Sequence, residues 1–217
     1  MENANLITLS QPRSAASEAY RSLRTNLMFS SVESPIQTLL VTSAAREDDK
    51  SATLANLAVT FAQSGNRTIL VDADLRQPKQ HEIWDLANHH GLSSMMVDDS
   101  SVSDPPLQAT SVDDLALVCA GELPPNPADL LSGQRMNEII AALKQRADYV
   151  LFDSPPVLAA TDAALLGIKL DGVLLAIRAG ETRRDHTAQA RQALERVHVR
   201  VVGAVLTDAP RENRVAY

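Results

Sequence analysis

Short, continuous apolar runs recur along the chain, separated by segments with helical spacing. The runs are 38–41 (T-L-L-V), 67–71 (R-T-I-L-V), 115–119 (L-A-L-V-C), 149–152 (Y-V-L-F), 172–177 and 199–206. Continuous rather than alternating apolar character predicts strands buried on both faces. Between them, a helix is expected from Ser14 or Ser17, either a suitable cap, to about Ser30, with Glu18 in its first turn and Ser34-Pro35 as its break. Further helices are expected from Ser51 to a C-cap at Gly65, over 130–144, 159–169 and 182–197, with one or two short ones in 78–98. Residues 99–113, rich in Ser, Asp and Pro, read as a surface loop. Strands alternating with helices predict an α/β fold: a mostly parallel sheet with helices on both faces, right-handed crossovers and ligands at the carboxyl ends of the strands. The expected layout is a flexible leader over 1–13, a single domain over 14–208 whose first helix is 14–31, and a polar tail over 209–217.

Composition narrows the classes. The chain has 217 residues, 45% hydrophobic and 22% charged, as in ordinary globular domains. A net charge of −7 argues against a general nucleic-acid binder, which needs a basic face. Cys119 is the sole cysteine, so neither a disulfide framework nor a Cys-pair metal site is expected, which fits a reducing cytosol. No run approaches the ~20 apolar residues of a spanning helix, and the N-terminus lacks the pattern of a signal peptide.

The stretch 37–56 (Q-T-L-L-V-T-S-A-A-R-E-D-D-K-S-A-T-L-A-N) has the layout strand, polar loop, Lys50-Ser51, helix. That is the frame of a phosphate-binding loop, whose motif is G-x-x-x-x-G-K-[ST]. Here Ala44 occupies the first glycine position and Asp49 the second. Three acids, Asp72, Asp74 and Asp153, each lie at the end of a predicted buried strand. In a parallel sheet those ends converge beside the loop. Carboxylates with a hydroxyl and a lysine suit Mg²⁺ on a nucleoside triphosphate. Ser51 would ligate the metal, Asp153 would hold it through water, Lys50 would reach the terminal phosphates, and Asp72 or Asp74 would accept a proton from an attacking hydroxyl. A single such aspartate would more simply be a helix cap. Three of them beside Lys-Ser favour the functional reading.

Here the chain resembles the cytoplasmic catalytic domain of the bacterial tyrosine kinase family, P-loop proteins that phosphorylate tyrosines in their own C-terminal tails and control capsule and exopolysaccharide assembly. The matching segments are S-E-A-Y-R-S-L-R-T-N-L at 17–27, V-T-S-A at 41–44, K-S and N-L-A within 50–58, V-D-A-D-L-R-Q-P at 71–78, G-L-S at 91–93, A-G-E-L-P-P-N-P-A-D-L-L at 120–131 and F-D-S-P-P-V at 152–157. The resemblance implies ATP and Mg²⁺ as cofactors, Lys50 and Ser51 as the phosphate-loop pair, and Asp153 as the Walker B aspartate. It implies that one of Asp72 and Asp74 supports the metal while the other is a candidate base. It also makes Glu18, Arg21 and Arg24 the E-x-x-R-x-x-R motif that joins subunits into a ring. Those three cover a stripe of roughly 120° on one helix, whereas Ala16, Tyr20, Leu23 and Leu27 take a different face and are expected to dock on the core. From spacing alone, a solvated face with i,i+3 pairs is the simpler reading of that stripe. Implied partners are copies of the chain or an active homologue, and a membrane-spanning polysaccharide co-polymerase that would recruit a cytoplasmic protein to the inner face of the membrane.

The chain departs from the family in its loop, normally Pro-Gly-acid-Gly-Lys before Ser or Thr. Arg46 replaces proline, while Glu47 and Asp49 replace both glycines. A phosphate loop turns successive N–H groups inward in conformations glycine adopts freely. Asp tolerates φ > 0 better than Glu does, at a strain of about 1–3 kcal/mol per residue. A carboxylate about 4 Å from a phosphate adds on the order of 4 kcal/mol at an effective dielectric of 20, a loss of about a thousandfold in affinity if uncompensated. Lys50 is free to pair with Glu47 or Asp49 instead. Of the three tyrosines, only Tyr217 is placed as an exposed acceptor, and Thr207 stands where the family often has an asparagine near the base. Two readings follow: a weakly active or non-catalytic regulatory relative, which the loop favours, and an active autokinase acting on Tyr217. A partitioning ATPase of the wider fold is disfavoured by the helix at 14–31 and by P-P-N-P. Metal binding without nucleotide by Asp49, Asp72, Asp74 and Asp153 is a further alternative.

Overall fold

The computed structural model describes residues 6–29, 35–45 and 49–209. In chain order the elements are α1 (Ile7–Ser10), α2 (Ala15–Phe29), β1 (Thr38–Ser43), α3 (Lys50–Gln63), β2 (Thr68–Asp72), α4 (Gln80–Trp84), α5 (Leu92–Val97), α6 (Ser100–Ser103), β3 (Gln108–Ala109), β4 (Leu115–Val118), α7 (Pro127–Ser132), α8 (Gln134–Lys144), β5 (Tyr149–Asp153), α9 (Asp162–Gly167), β6 (Gly172–Arg178), α10 (Arg184–Arg196) and β7 (Val201–Thr207). The strands form one sheet of order β3-β4-β2-β5-β1-β6-β7. All pairings are parallel except that of the short edge strand β3 with β4.

Side chains alternate across the sheet and supply two cores. Leu39, Val41, Leu70, Leu117 and Leu151 face α1, α2 and α3, with Leu54, Leu57 and Phe61 of α3 packed on them. Leu40, Val71, Val118, Val150 and Phe152 face the other way, toward α5 and α7 to α10. Each fully buried Leu or Phe contributes about 1.5–3 kcal/mol. β1, β2, β4, β5 and most of β6 are buried on both faces as expected, whereas β7, at the sheet edge, is only partly buried and its Leu206 is exposed. The mostly parallel, doubly covered single domain expected from the pattern is the fold observed.

Several local expectations are corrected. Part of the proposed leader is ordered: Leu6 is buried, and Thr8 donates from its amide and its hydroxyl to Asn56 Oδ1 at 3.0 and 2.9 Å. Ser14, not Ser17, caps α2, accepting the Ser17 amide at 3.2 Å. Ser17 is buried and its hydroxyl reaches the carbonyls of Ile7 and Gln11. Leu27, Tyr20 and Leu23 of α2 pack on the core as expected, but Ala16 is exposed. The loop at 99–113 contains α6 and the antiparallel edge strand β3. The helix expected over 130–144 is split at Gly133, whose extended backbone (ψ 164°) ends α7 and starts α8. Among the described residues, no helix is long and apolar enough to cross a membrane.

Candidate functional site

Two connections leave the centre of the sheet in opposite directions. β1 leads through α3 to β2 on one side, and β5 leads through α9 to β6 on the other. The carboxyl ends between β1 and β5 are therefore a switch point, where open α/β sheets bind ligands. In-register pairing sets Asp72 beside Asp153 and Asp153 beside Val41. Asp74 follows two residues beyond β2, and α3 starts at Lys50 opposite them.

The predicted residues meet here. Lys50 Nζ donates to Asp74 Oδ2 at 2.9 Å, to Asp153 Oδ1 at 3.0 Å and to Ser51 Oγ at 3.2 Å. Burial opposes the charge of Lys50, but Asp153 and Asp74 outweigh it and raise its pKa. The alternative pairing of Lys50 with Asp49 is not what forms; the acids it takes are those at the strand ends. Glu47, the other alternative, lies with Arg46 and Asp48 outside the described residues, as does the predicted acceptor Tyr217.

Asp72 and Asp74 occupy different settings. Asp72 Oδ1 accepts the Asp74 amide at 3.2 Å, and Oδ2 accepts the amides of Lys79 and Gln80 at 3.0 and 2.9 Å. Complete burial, then the neighbouring Asp153 charge, push the Asp72 carboxyl well above the usual carboxylate range. Asp74 Oδ1 accepts the Gln77 amide at 3.0 Å, which leaves Oδ2 to Lys50. A cleft of about 280 Å³ opens here, bordered by Asp49, Lys50, Ser51, Asp74, Gln77 and Lys79. Asp74 borders it and Asp72 does not.

Asp49 caps α3 in the left-handed region (φ 49°, ψ 30°), the conformation for which glycine was expected. Its carboxylate lies 3.6 Å from Arg178 at the end of β6, and Arg178 also holds Asp208 at 2.8 Å. The acid in the turn thus has a counter-cation. A second, more apolar groove of about 560 Å³ adjoins the cleft, lined by Tyr20, Leu23, Thr53, Leu206 and Thr207, with Asp49 common to both.

The Glu/Arg stripe of α2 makes contacts within the chain. Arg21 pairs with Glu18 at 2.8 Å and donates to the Pro12 carbonyl, while Arg24 donates to the Thr60 carbonyl of α3 at 2.8 Å. The Glu18–Arg21 contact is the i,i+3 pair that spacing alone suggested.

Sequence reasoning missed three participants. Gln80 is fully buried; its Nε2 donates to Asp153 Oδ2 at 2.9 Å and to the Ser51 carbonyl at 3.0 Å. Arg178 is the partner of Asp49. Arg76 grips the buried Asp162 with two bonds of 2.8 and 2.9 Å, tying the segment after β2 to α9. Only Arg76 carried a signal, since it lies inside the matched segment at 71–78.

The described donors suit a nucleotide phosphate with Mg²⁺: a lysine, a hydroxyl at the first turn of a 14-residue helix, and a carboxylate at the adjacent strand end. Among the described residues, no group of three or more His, Cys, Asp or Glu is arranged to hold a metal ion.

Fold and site together define a P-loop α/β protein of the nucleotide-phosphate-binding type. The AAA domain family matches residues 48–198. Tyrosine-protein kinase YwqD of Bacillus subtilis (strain 168) is 41% identical over 202 residues, covering 93% of this chain and 85% of that protein. The putative tyrosine-protein kinase CapB of Staphylococcus aureus is 35% identical, covering 95% of this chain and 90% of its own. Tyrosine-protein kinase etk of Escherichia coli (strain K12) is 31% identical across 100% of this chain, which spans 30% of that longer protein. Among solved structures, the chimerical protein CapA2B2 matches with a TM-score of 0.90 at 34% identity, over 95% of this chain and 90% of that one. The kinase domain of Escherichia coli tyrosine kinase ETK matches at 0.87 and 30% identity, over 100% and 86%. The chain belongs to the bacterial tyrosine kinase family. The septum site-determining protein MinD of Pyrococcus horikoshii, at 0.66 and 18% identity, shares the fold.

Proposed function

We propose that the chain is a tyrosine-kinase-type protein of capsule or exopolysaccharide assembly in which the rewritten phosphate turn weakens ATP–Mg²⁺ binding, so that it acts chiefly as a weakly active or non-catalytic regulatory subunit. The observation that carries this is the pairing of Lys50 with both Asp74 and Asp153 behind a turn whose last residue is a left-handed Asp49. An incoming phosphate must draw Lys50 from two buried carboxylates and approach an acid where the family has glycine. Copies of the chain or an active homologue are its assembly partners, through Glu18, Arg21 and Arg24, and a membrane-spanning co-polymerase is its anchor at the inner face of the membrane. The relatives' assignment as tyrosine kinases supports the class.

When nucleotide does bind, Lys50 would hold the terminal phosphates, and Ser51 and Asp153 would hold the Mg²⁺. The metal would neutralise charge on the phosphate oxygens. Asp74, which borders the cleft, is better placed than Asp72 to take the proton of an attacking hydroxyl. Asp72 instead anchors the segment from Asp74 to Gln80 through three backbone amides. The groove beside the cleft, with Thr207 on its wall, would take the base.

A second reading, an active autokinase whose acceptor is Tyr217, is favoured by one observation: Arg178 offsets the charge of Asp49. Calorimetric titration with ATP–Mg²⁺ separates the two. The regulatory reading expects no submillimolar binding by the natural chain and recovery on Arg46→Pro/Glu47→Gly/Asp49→Gly. Submillimolar binding by the natural chain would discard it.

A further inference from the structure

We propose that Gln80 is a positioning residue of the phosphate site, the fixed donor to Asp153 where Lys50 is the exchangeable one. The inference rests on the reading that Asp153 and Ser51 face a nucleotide-bound divalent cation; it does not depend on how tightly the natural loop binds.

A primary amide has two N–H donors, and Gln80 spends both on this site. One goes to Asp153 Oδ2 at 2.9 Å and the other to the Ser51 carbonyl at 3.0 Å. Its backbone amide adds a third bond, to Asp72 Oδ2 at 2.9 Å. One buried residue therefore joins the end of β2, the end of β5 and the first turn of α3. Its Oε1 finds no partner among the described residues, a penalty that an apolar side chain of the same volume would avoid. Packing alone does not explain a glutamine here, whereas holding a carboxylate does.

The two donors to Asp153 differ in exposure to ligand. Lys50 borders the cleft and is open to competition from an anion; Gln80 does not border it and is 0% exposed. When Lys50 turns toward a phosphate, Asp153 Oδ1 is released while Oδ2 stays held. The carboxylate keeps its orientation at the moment it becomes available. Because the same amide holds the Ser51 backbone, the spacing between Ser51 and Asp153 is fixed by one side chain.

Gln80→Met keeps the volume and removes both donors. Binding of a fluorescent ADP analogue is measured over a Mg²⁺ series and in EDTA, in the full chain and in the Arg46→Pro/Glu47→Gly/Asp49→Gly background. The expected result is a rise of about tenfold in the Mg²⁺ needed for half-saturation, with affinity in EDTA unchanged. An equal change in both arms, or none in either, would overturn the positioning role. Failure of the natural chain to bind bears on the proposed function, and the loop-restored background keeps the comparison legible. A readout without nucleotide is the thermal double-mutant cycle of Gln80→Met with Asp153→Asn. Non-additive shifts are expected, and additive ones would equally overturn the proposal.

Discussion

The ammonium of Lys50 lies 2.9 Å from Asp74 Oδ2, with both side chains at most 9% exposed. With Asp153 at 3.0 Å, one lysine balances two carboxylates directly. Removing it strands buried negative charge. Lys50→Ala should cost about 3–5 kcal/mol in stability, the usual penalty for breaking a buried pair from one side. Urea unfolding of the free chain measures this, and a loss below about 1 kcal/mol would show that the acids are solvated or protonated instead.

The contact between Asp49 and Arg178 predicts a coupled effect on anion affinity. Arg178→Ala should weaken ATP–Mg²⁺ or inorganic phosphate binding more in the natural chain than in Asp49→Gly, because only the natural chain carries the acid at position 49 that Arg178 faces. Isothermal titration of the four chains gives the cycle. Equal effects in both backgrounds would mean that Arg178 does not act through Asp49.

For assembly, Glu18 and Arg21 offer the cleaner probe. Arg24 also holds the Thr60 carbonyl, so truncating it disturbs the seat of α2 on α3 as well as any interface. Glu18→Ala/Arg21→Ala should reduce particle mass in light scattering while leaving the thermal midpoint within a few degrees. An unchanged mass would remove the interface from consideration.

Asp171 predicts acid sensitivity. Its Oδ2 accepts the amides of Gln37 and Thr38 and the Thr38 hydroxyl at 3.0, 2.8 and 2.8 Å, pinning the start of β1 beside that of β6. Burial opposes ionisation, but the Thr38 and Gln37 donors prevail and the carboxyl pKa is lowered. A folded-state pKa below the unfolded value of about 3.9 means the stabilisation is present above that value. It is lost as pH falls through the folded-state pKa. Asp171→Asn should therefore lose about 1 kcal/mol near neutrality, after allowance for solvent screening. Its stability should also fall less steeply below pH 4 in urea melts. Parallel pH profiles for the two chains would refute the assignment.

Gly91 is a packing test. A Cβ there would lie 2.0 Å from the Cys119 carbonyl oxygen, which accepts the Leu92 amide at 2.8 Å. Since the obstacle is backbone, Gly91→Ala should cost about 3 kcal/mol, the upper end of the usual overpacking range. A thermal midpoint close to that of the natural chain would show that the segment can shift.

The chain's local pattern was enough to mark six of the seven described strands, all but the edge strand β3, and much of the site. Continuous apolar runs marked the strands because a sheet covered on both faces leaves no polar side, and the aspartates at their ends had to converge because parallel strands share an edge. Lys50 and Ser51 were legible from their place between a strand and a helix. The flexible-leader reading missed α1 because a single turn has no periodicity of its own; Leu6 and Thr8 are ordered by α3. Nor did local pattern give the partners of Lys50, the role of Gln80, the counter-cation of Asp49, or which of Asp72 and Asp74 meets the cleft. Lys50 finds its acids 24 and 103 residues away, and Gln80 reaches Asp153 across 73. Periodicity reports which face of an element is buried. Which donor meets which carboxylate inside that burial is decided only when α3, α4 and β5 are packed together, and there the unmet cost of a buried charge selects the pairing.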